Sequence, residues 1–295
     1  MKRLHVLYDV EGWAYHNRAL AIARYAPPDW HVTASRRLPR RRRLRNQLDV
    51  VFLMESPRCE KVARRLDLHK TALVVGFNVG YDLRKEWASQ LVSYDWIDKV
   101  VFNNREYWDR MGQLKNTTYV SNGVDLSTFR ETCPLLERPK KALWSGSKYW
   151  QELKGYDILE GILPQLLASG YGLELNLVDS YQPERTHDQM PAFYNGGQIF
   201  CCASSMEGTP NTALEAAACG CVLVATRVGN MPELIKDKEN GVLVERDGAS
   251  ILEGINYARA NLSRLAGNMQ ASIREWDWPI RMQQYFNLFD EVRRQ

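Results

Sequence analysis

The chain has 295 residues, 45% of them hydrophobic and 25% charged, which suits one large or two smaller globular domains and excludes wholesale disorder or a fibrous protein. Its formal net charge is a mild +4. No run approaches the ~18 apolar residues of a membrane-spanning helix, so the chain is not expected to cross a bilayer. The opening Met1-Lys2-Arg3, followed by Leu4 to Asp9, carries an apolar run too short for a signal peptide and reads as a first buried strand. A cytoplasmic, reducing compartment is expected. The six cysteines form no CxxC pair and no zinc spacing with the five histidines. Cys201-Cys202 and Cys219-x-Cys221 lie inside apolar runs, where a thiol behaves as a small core side chain.

Short apolar runs alternate with amphipathic stretches along the whole length. In the first part the runs predict strands at 4–8, 31–34, 50–54, 72–75, 99–102 and 118–120. In the second part they predict strands at 142–144, 173–178, 199–203, 222–225 and 241–244. Helical patterns stand between them at 12–25, 58–68, 105–112, 156–169 and 211–219. This alternation argues for parallel sheets covered by helices on both faces. Eleven strands are many for one open sheet, and the segment 131–139 has the composition of a linker. The economical layout is α/β, with two doubly wound Rossmann-like domains at 1–132 and 133–278. The last segment, 279–295, is assigned to the first domain. It carries Ile280, Met282, Tyr285, Phe286, Leu288, Phe289 and Val292 at helical spacing, a broad apolar face that must pack on something.

The most informative stretch runs from Ser204 to Gly220 and follows the strand-type run 199–203. Thr209 can N-cap a helix with Pro210 in its first position, where the missing N–H costs nothing, and Gly220 can end it. Strand, glycine turn at Gly208 and helix start would leave free N–H groups around Thr209, Asn211 and Thr212. Such an end attracts phosphate through its unpaired donors and the helix dipole. In an open α/β sheet it lies at the carboxyl ends of the strands, where ligands bind. Glu207 stands at the mouth of the turn. Glu215, inside the helix, can accept hydrogen bonds from a diol such as ribose. One acid for a sugar, one for a ribose and phosphates between them make a site for a sugar nucleotide.

This stretch resembles the Glu-x7-Glu motif of retaining GT-B glycosyltransferases of the family-four type, here in a short single-chain form. Four further elements follow the family's order. Tyr119-Val120-Ser121-Asn122-Gly123-Val124-Asp125, with Phe129, resembles its "PNGVD…F" signature. Trp144-Ser145-Gly146-Ser147-Lys148 with Lys154-Gly155 is similar to its "GR…KG" element. Val228-Gly229-Asn230-Met231-Pro232-Glu233 and Asn240-Gly241-Val242-Leu243 look like "GG-PE" and "NG-L". The resemblance covers about residues 118–248. It implies two domains facing a cleft, with the C-terminal helix packing back on the N-terminal domain. It also implies transfer of a sugar from a nucleotide-diphosphate donor such as a UDP-sugar to an acceptor hydroxyl.

By the same resemblance, Lys154 and Lys148 neutralise the departing diphosphate, Glu207 grips sugar hydroxyls and Glu215 the ribose. Gly146, Gly208, Thr209, Pro210, Asn211, Thr212 and Gly12 line the donor, and His16 contacts sugar or acceptor. Lys148 stands nearest to the family's arginine and lacks that residue's bidentate fork. The turn after the first strand, from Val10 to His16, lacks the customary double glycine. Met54-Glu55-Ser56 and Asn78-Val79 stand where the family has a histidine. No Asp-x-Asp triad occurs, so no metal is expected, and no cofactor beyond the donor as co-substrate.

Between Arg36 and Arg45 seven of ten positions are arginine, in an expected strand-to-strand connection. A charge run is often only a solvated face, yet this density also suits nucleic-acid phosphates or an anionic membrane surface. The resemblance gives acceptor handling to the N-terminal domain, which makes Arg40, Arg41, Arg42 and Arg43 acceptor-side candidates. The acceptor is then polyanionic, a modified base in DNA or an envelope lipid or glycan, and the protein is peripheral to nucleic acid or membrane. The rival reading is a non-catalytic nucleic-acid-binding protein on a degenerate GT-B scaffold. The arginines favour it; Glu207, Glu215 and Lys154 disfavour it. A dinucleotide oxidoreductase is excluded because no GxGxxG follows the first strand.

Overall fold

The computed structural model describes residues 1–294 except 55, 78–90, 111–115 and 180–184, and leaves out the side chains of Ser56 and Lys148. Glu55, Asn78 and Val79, which stand in place of the family's histidine, therefore lie outside the described residues. So does the end of the helix expected at 105–112.

Two all-parallel sheets hold the described strands. The first contains β1 (Lys2–Leu7), β2 (Trp30–Ser35), β3 (Val50–Leu53), β4 (Ala72–Phe77), β5 (Lys99–Phe102) and β6 (Thr117–Tyr119), in the order β2-β1-β3-β4-β5-β6. The second contains β7 (Lys141–Ser147), β8 (Gly172–Val178), β9 (Ile199–Cys202), β10 (Val222–Thr226) and β11 (Val242–Val244), in the order β11-β10-β9-β7-β8. Central strands such as Val50–Leu53 and Val222–Thr226 are buried along their whole length, because parallel strands are covered on both faces. In each sheet the winding direction reverses once, between β1 and β3 and between β7 and β9. In doubly wound sheets that reversal opens a crevice at the carboxyl ends of the strands.

Every strand read from the sequence is present, with shifted edges. The largest shift is β7, read as 142–144 and found at Lys141–Ser147. Its second half is polar, and it pairs with β8 out to Ser147↔Val178 while Asn176 Nδ2 donates to Ser145 Oγ at 3.0 Å. The sequence reading names no helix for Gly248–Ala260 or Leu262–Ile273, although Asp247 caps the former by accepting from Ser250 N–H at 2.8 Å.

The chain divides into two compact units, Met1–Asn122 with Trp278–Gln295, and Gly123–Asp277. The sequence reading sets its boundaries at 132/133 and 278/279. The C-terminal helix Trp278–Val292 belongs to the first unit. Its Met282, Tyr285, Phe286, Leu288 and Phe289 join Leu4, Val6, Phe52 and Val74 in one apolar core. Trp30 packs on Phe286 with ring centroids 5.6 Å apart, and Tyr285 OH donates to the Val120 carbonyl at 3.3 Å. Each such buried side chain contributes about 1.5–3 kcal/mol before entropy is counted. The helix is thus an integral wall of the first unit.

Candidate functional site

In the second unit, β7 and β9 flank the point where the sheet reverses, and the turns that leave these two strands meet. Ser205 N–H donates to the Leu153 carbonyl at 2.8 Å, and Arg246 Nε donates to the Ala203 carbonyl at 3.1 Å while its other end reaches the Glu152 carbonyl. Thr226 Oγ1, at the end of β10, donates to the Ser204 carbonyl at 2.6 Å. Gly155 adopts φ +74°, and a Cβ there would fall 2.4 Å from the Ala203 carbonyl oxygen. Gly229 adopts φ +55°, and a Cβ would fall 2.3 Å from the Gly208 carbonyl oxygen and 2.9 Å from Glu207 Cβ. Only glycine fits at these two close approaches.

These stitches bring Lys154 onto Glu207. Lys154 Nζ forms an ion pair with Glu207 Oε1, and Ser204 Oγ donates to the same oxygen at 2.7 Å. The pair is mostly buried, with the lysine side chain 28% exposed and the glutamate 12%. Burial pushes the Lys154 ammonium down, but the charge and hydrogen bond of Glu207 outweigh it, so its pKa is raised and the lysine stays cationic. Trp144 Nε1 donates to the Lys154 carbonyl at 3.1 Å, anchoring the end of the short helix Gln151–Lys154. Gly146 is buried beside the Trp144 ring and Lys154. Lys148 begins the single turn after β7, and its side chain lies outside the described part.

The helix after Glu207 spans Asn211–Ala218. The sequence reading puts its cap at Thr209 and its first residue at Pro210; the structure moves both by one. Pro210 has ψ 86°, outside the helical region, and its carbonyl takes the first bonds, from Ala213 N–H at 3.0 Å and Leu214 N–H at 3.2 Å. Pro210 is therefore the cap residue, Asn211 and Thr212 open the helix, and Thr209 is buried just before it. Gly220 ends the helix with φ +86°, as read.

Glu215 projects from this helix and is 14% exposed. Tyr194 OH donates to its Oε2 at 2.8 Å, and His187 Nε2 lies 3.3 Å from its Oε1. The hydrogen bond to Glu215 raises the His187 pKa above its ordinary value against the opposing effect of burial. The Phe129 ring stands edge-on to His187, 5.2 Å between centroids. Each carboxylate oxygen keeps a further lone pair for another donor. The sequence reading missed Ser204, His187, Tyr194 and Arg246. The only available signal was that Ser204 directly follows one strand-type run and Arg246 comes two residues after another.

In the first unit Gly12 and His16 follow β1, at that sheet's own reversal. Gly12 N–H donates to His16 Nδ1 at 2.9 Å, and the His16 ring lies 4.7 Å from Tyr8, so this histidine braces its own turn. Arg40 to Arg43 are exposed, and the connection that bears them contains a short helix, Arg42–Arg45, that the sequence reading lacks. Cys201, Cys202, Cys219 and Cys221 are buried and free; burial pushes the Cys201, Cys202 and Cys221 thiols up to about 12. Among the described residues no helix is long and apolar enough to cross a membrane.

Residues 180–261 match the family described as "Glycosyl transferases group 1". A D-inositol 3-phosphate glycosyltransferase of Salinispora tropica is 28% identical over 116 residues, covering 38% of this chain and 24% of the relative. One from Mycobacteroides abscessus is 24% identical over 216 residues, covering 59% of this chain and 49% of the relative. The chain thus spans less than half the length of these curated relatives. The Anabaena protein HepE, solved in complex with UDP, superposes with a TM-score of 0.74 at 14% identity, over 99% of this chain and 100% of its own. At that identity the likeness establishes the fold, which is of GT-B type with two Rossmann-like units.

Proposed function

We propose that the chain is a group 1 glycosyltransferase that takes a sugar from a UDP-sugar or similar donor and passes it to an acceptor hydroxyl. The reading is supported chiefly by the Lys154–Glu207 pair, fixed where the second sheet reverses and adjoining the helix that opens at Asn211. As the sugar C1–O bond breaks, negative charge grows on the leaving diphosphate. Lys154 and the N–H groups of Asn211 and Thr212 receive that charge with little reorganisation, typically the largest catalytic contribution. A lysine and a helix end suffice for this, so no metal is required. Lys148 adds a second cation.

Glu207 accepts hydrogen bonds from the hydroxyls of the transferred sugar, and Glu215 holds the ribose diol. Gly146, Gly208, Thr209 and Pro210 shape the wall against which the phosphates lie. The acceptor oxygen attacks from the face the diphosphate leaves, so the anomeric configuration is retained, and the acceptor's proton goes to the departing phosphate oxygen. Gly12 keeps the donor-side role that the resemblance implies and His16 the contact to sugar or acceptor; the acceptor is polyanionic.

The test is a melting-temperature screen against UDP-sugars and other nucleotide sugars, since a ligand held only by the folded state raises the melting point. Turnover of the best donor is then compared between the parent and Glu207→Ala, with product stereochemistry read by NMR. A donor that stabilises the parent and is turned over only with Glu207 intact supports the proposal. Undiminished turnover in Glu207→Ala refutes it.

A further inference from the structure

Away from the donor site, the first unit carries a second charged feature, built from two neighbouring segments. The connection 36–45 is held in place by its own arginines and their neighbours. Leu38 is buried as its anchor. Arg45 Nη1 donates to the carbonyls of Pro39 at 2.9 Å and Arg40 at 2.8 Å, and its Nε to that of Arg65 at 3.0 Å. Arg58 donates to the carbonyls of Arg36 at 3.1 Å and Tyr8 at 3.2 Å. Arg45 and Arg58 are thus engaged with backbone, while Arg40 to Arg43 stay exposed with no carboxylate partner among the described residues.

The Arg45 clamp joins this loop to Arg65, just after helix Cys59–Ala63. Along that helix and its ends Lys61, Arg64 and Arg65 line an open groove of about 630 Å³ with Pro57 and Glu60. Glu60, the one acid of the groove, is already engaged by Tyr94 OH at 2.9 Å and Arg64 at 3.4 Å. Among the described residues one face therefore presents an excess of cations over acids, nearly all arginine, the residue whose planar fork matches phosphate oxygens.

We propose that this face is a docking surface for duplex nucleic acid, gripping its phosphate backbone without reading sequence. Two observations choose this partner. Leu44, 48% exposed, is the single large exposed hydrophobic among the described residues of 36–65, so a membrane surface would gain almost no apolar insertion. Among the described residues of 36–65 no aromatic ring is exposed on which unpaired bases could stack, Phe52 being buried, which turns the face toward a double helix rather than a single strand. The inference concerns binding alone and stands apart from the donor chemistry proposed above.

The experiment measures fluorescence anisotropy of labelled DNA and RNA duplexes against the full chain over a salt series. Vesicles containing anionic lipid and a single strand serve as competitors. UDP binding by the same preparation reports separately on the donor site. Binding of either duplex should weaken linearly on a log–log salt plot, with a slope of about 0.9 per neutralised phosphate for B-DNA. R40S/R41S/R42S/R43S should flatten that slope by up to about 3.6, one phosphate for each arginine, and weaken binding at low salt by roughly tenfold or more. K61S/R65S, on the other segment, should weaken it in the same sense, and unchanged melting curves establish that both variants fold. Duplex binding indifferent to both variants overturns the proposal, as does preference for the vesicles or the single strand over the duplexes.

Discussion

Lys154 and Glu207 stand 53 positions apart in the chain and meet as an ion pair because β7 and β9, whose turns carry them, are neighbours in the second sheet. Ser204 fixes the carboxylate from behind, so the cation is held before any ligand arrives. Lys154→Ala should therefore lower donor turnover by about 10²–10³-fold, the usual effect of removing one preorganised charge partner from a leaving group. Combined with Glu207→Ala in a double-mutant cycle, the two losses should fall short of additive by about 1 kcal/mol or more. Strict additivity would mean that the two residues act independently.

Gly229 and Gly267 should respond in opposite ways to a methyl group. Alanine at 229 must hold a left-handed backbone and clear the Gly208 carbonyl oxygen, 2.3 Å from the new Cβ. The turn bearing Glu207 has to move, so Gly229→Ala should cost about 1–3 kcal/mol and weaken UDP-sugar binding together with turnover. Gly267 lies exposed within helix Leu262–Ile273, and a Cβ there meets nothing within 4 Å. Gly267→Ala should stabilise by about 0.5–1 kcal/mol and leave binding untouched. Urea titrations of the two variants decide it, and a destabilised Gly267→Ala would contradict the open geometry.

Strand positions were legible because strands covered on both faces are mostly apolar, as Ile199–Cys202 and the first four residues of Val222–Thr226 are. Where a strand turns polar to meet a side chain opposite it, as Ser145 meets Asn176, the signal fails and β7 reads short. Glu207 and Glu215 could be picked out because helix start, glycine turn and acid spacing are local, and Lys154 because Lys154-Gly155 is similar to the family's "KG" element. Their partners could not. His187 and Tyr194 stand 28 and 21 positions before Glu215, and the connection after β8 that brings them there has no periodicity to announce it. The one-residue error at the helix start has a local cause: Pro210 suits the cap position as well as the first turn, and only its ψ separates the two.

Arg138 is a structural counterpart to Lys154, a buried cation that pairs with Glu131 at 3.5 Å and otherwise engages backbone. Its guanidinium donates to the carbonyls of Cys133 at 2.8 Å, Cys219 at 2.7 Å, Gly197 at 3.2 Å and Tyr194 at 3.4 Å. It ties the segment entering β7 to the turn before β9 and to the end of helix Asn211–Ala218. Arg138→Met leaves these acceptors unsatisfied, each costing ~1–3 kcal/mol, and should destabilise by about 3–5 kcal/mol in total. Arg138→Lys should recover only part, since one ammonium cannot span the same carbonyls. A loss below about 1 kcal/mol for Arg138→Met would show that the carbonyls find other donors.

The pH dependence of stability should carry the signature of His187. Its hydrogen bond to Glu215, against the lowering effect of burial and aided by the charges of Glu215, Asp188 and Asp125, raises its pKa above the ordinary 6.5. Between that value and the raised one, the folded chain holds a proton that the unfolded chain has released. The stabilisation is therefore complete below 6.5 and is lost as pH rises through the folded-state value. His5 works in the opposite sense, because burial lowers its pKa and its stabilisation is lost as pH falls below 6.5. The parent's profile alone mixes the two, whereas the difference between the parent and His187→Gln isolates the His187–Glu215 contact. Measured by urea midpoints from about pH 5.5 to about pH 8.5, that difference should be largest at the acid end and shrink steadily upward. A difference that stays flat, or grows with pH, would mean that Glu215 does not hold the imidazolium.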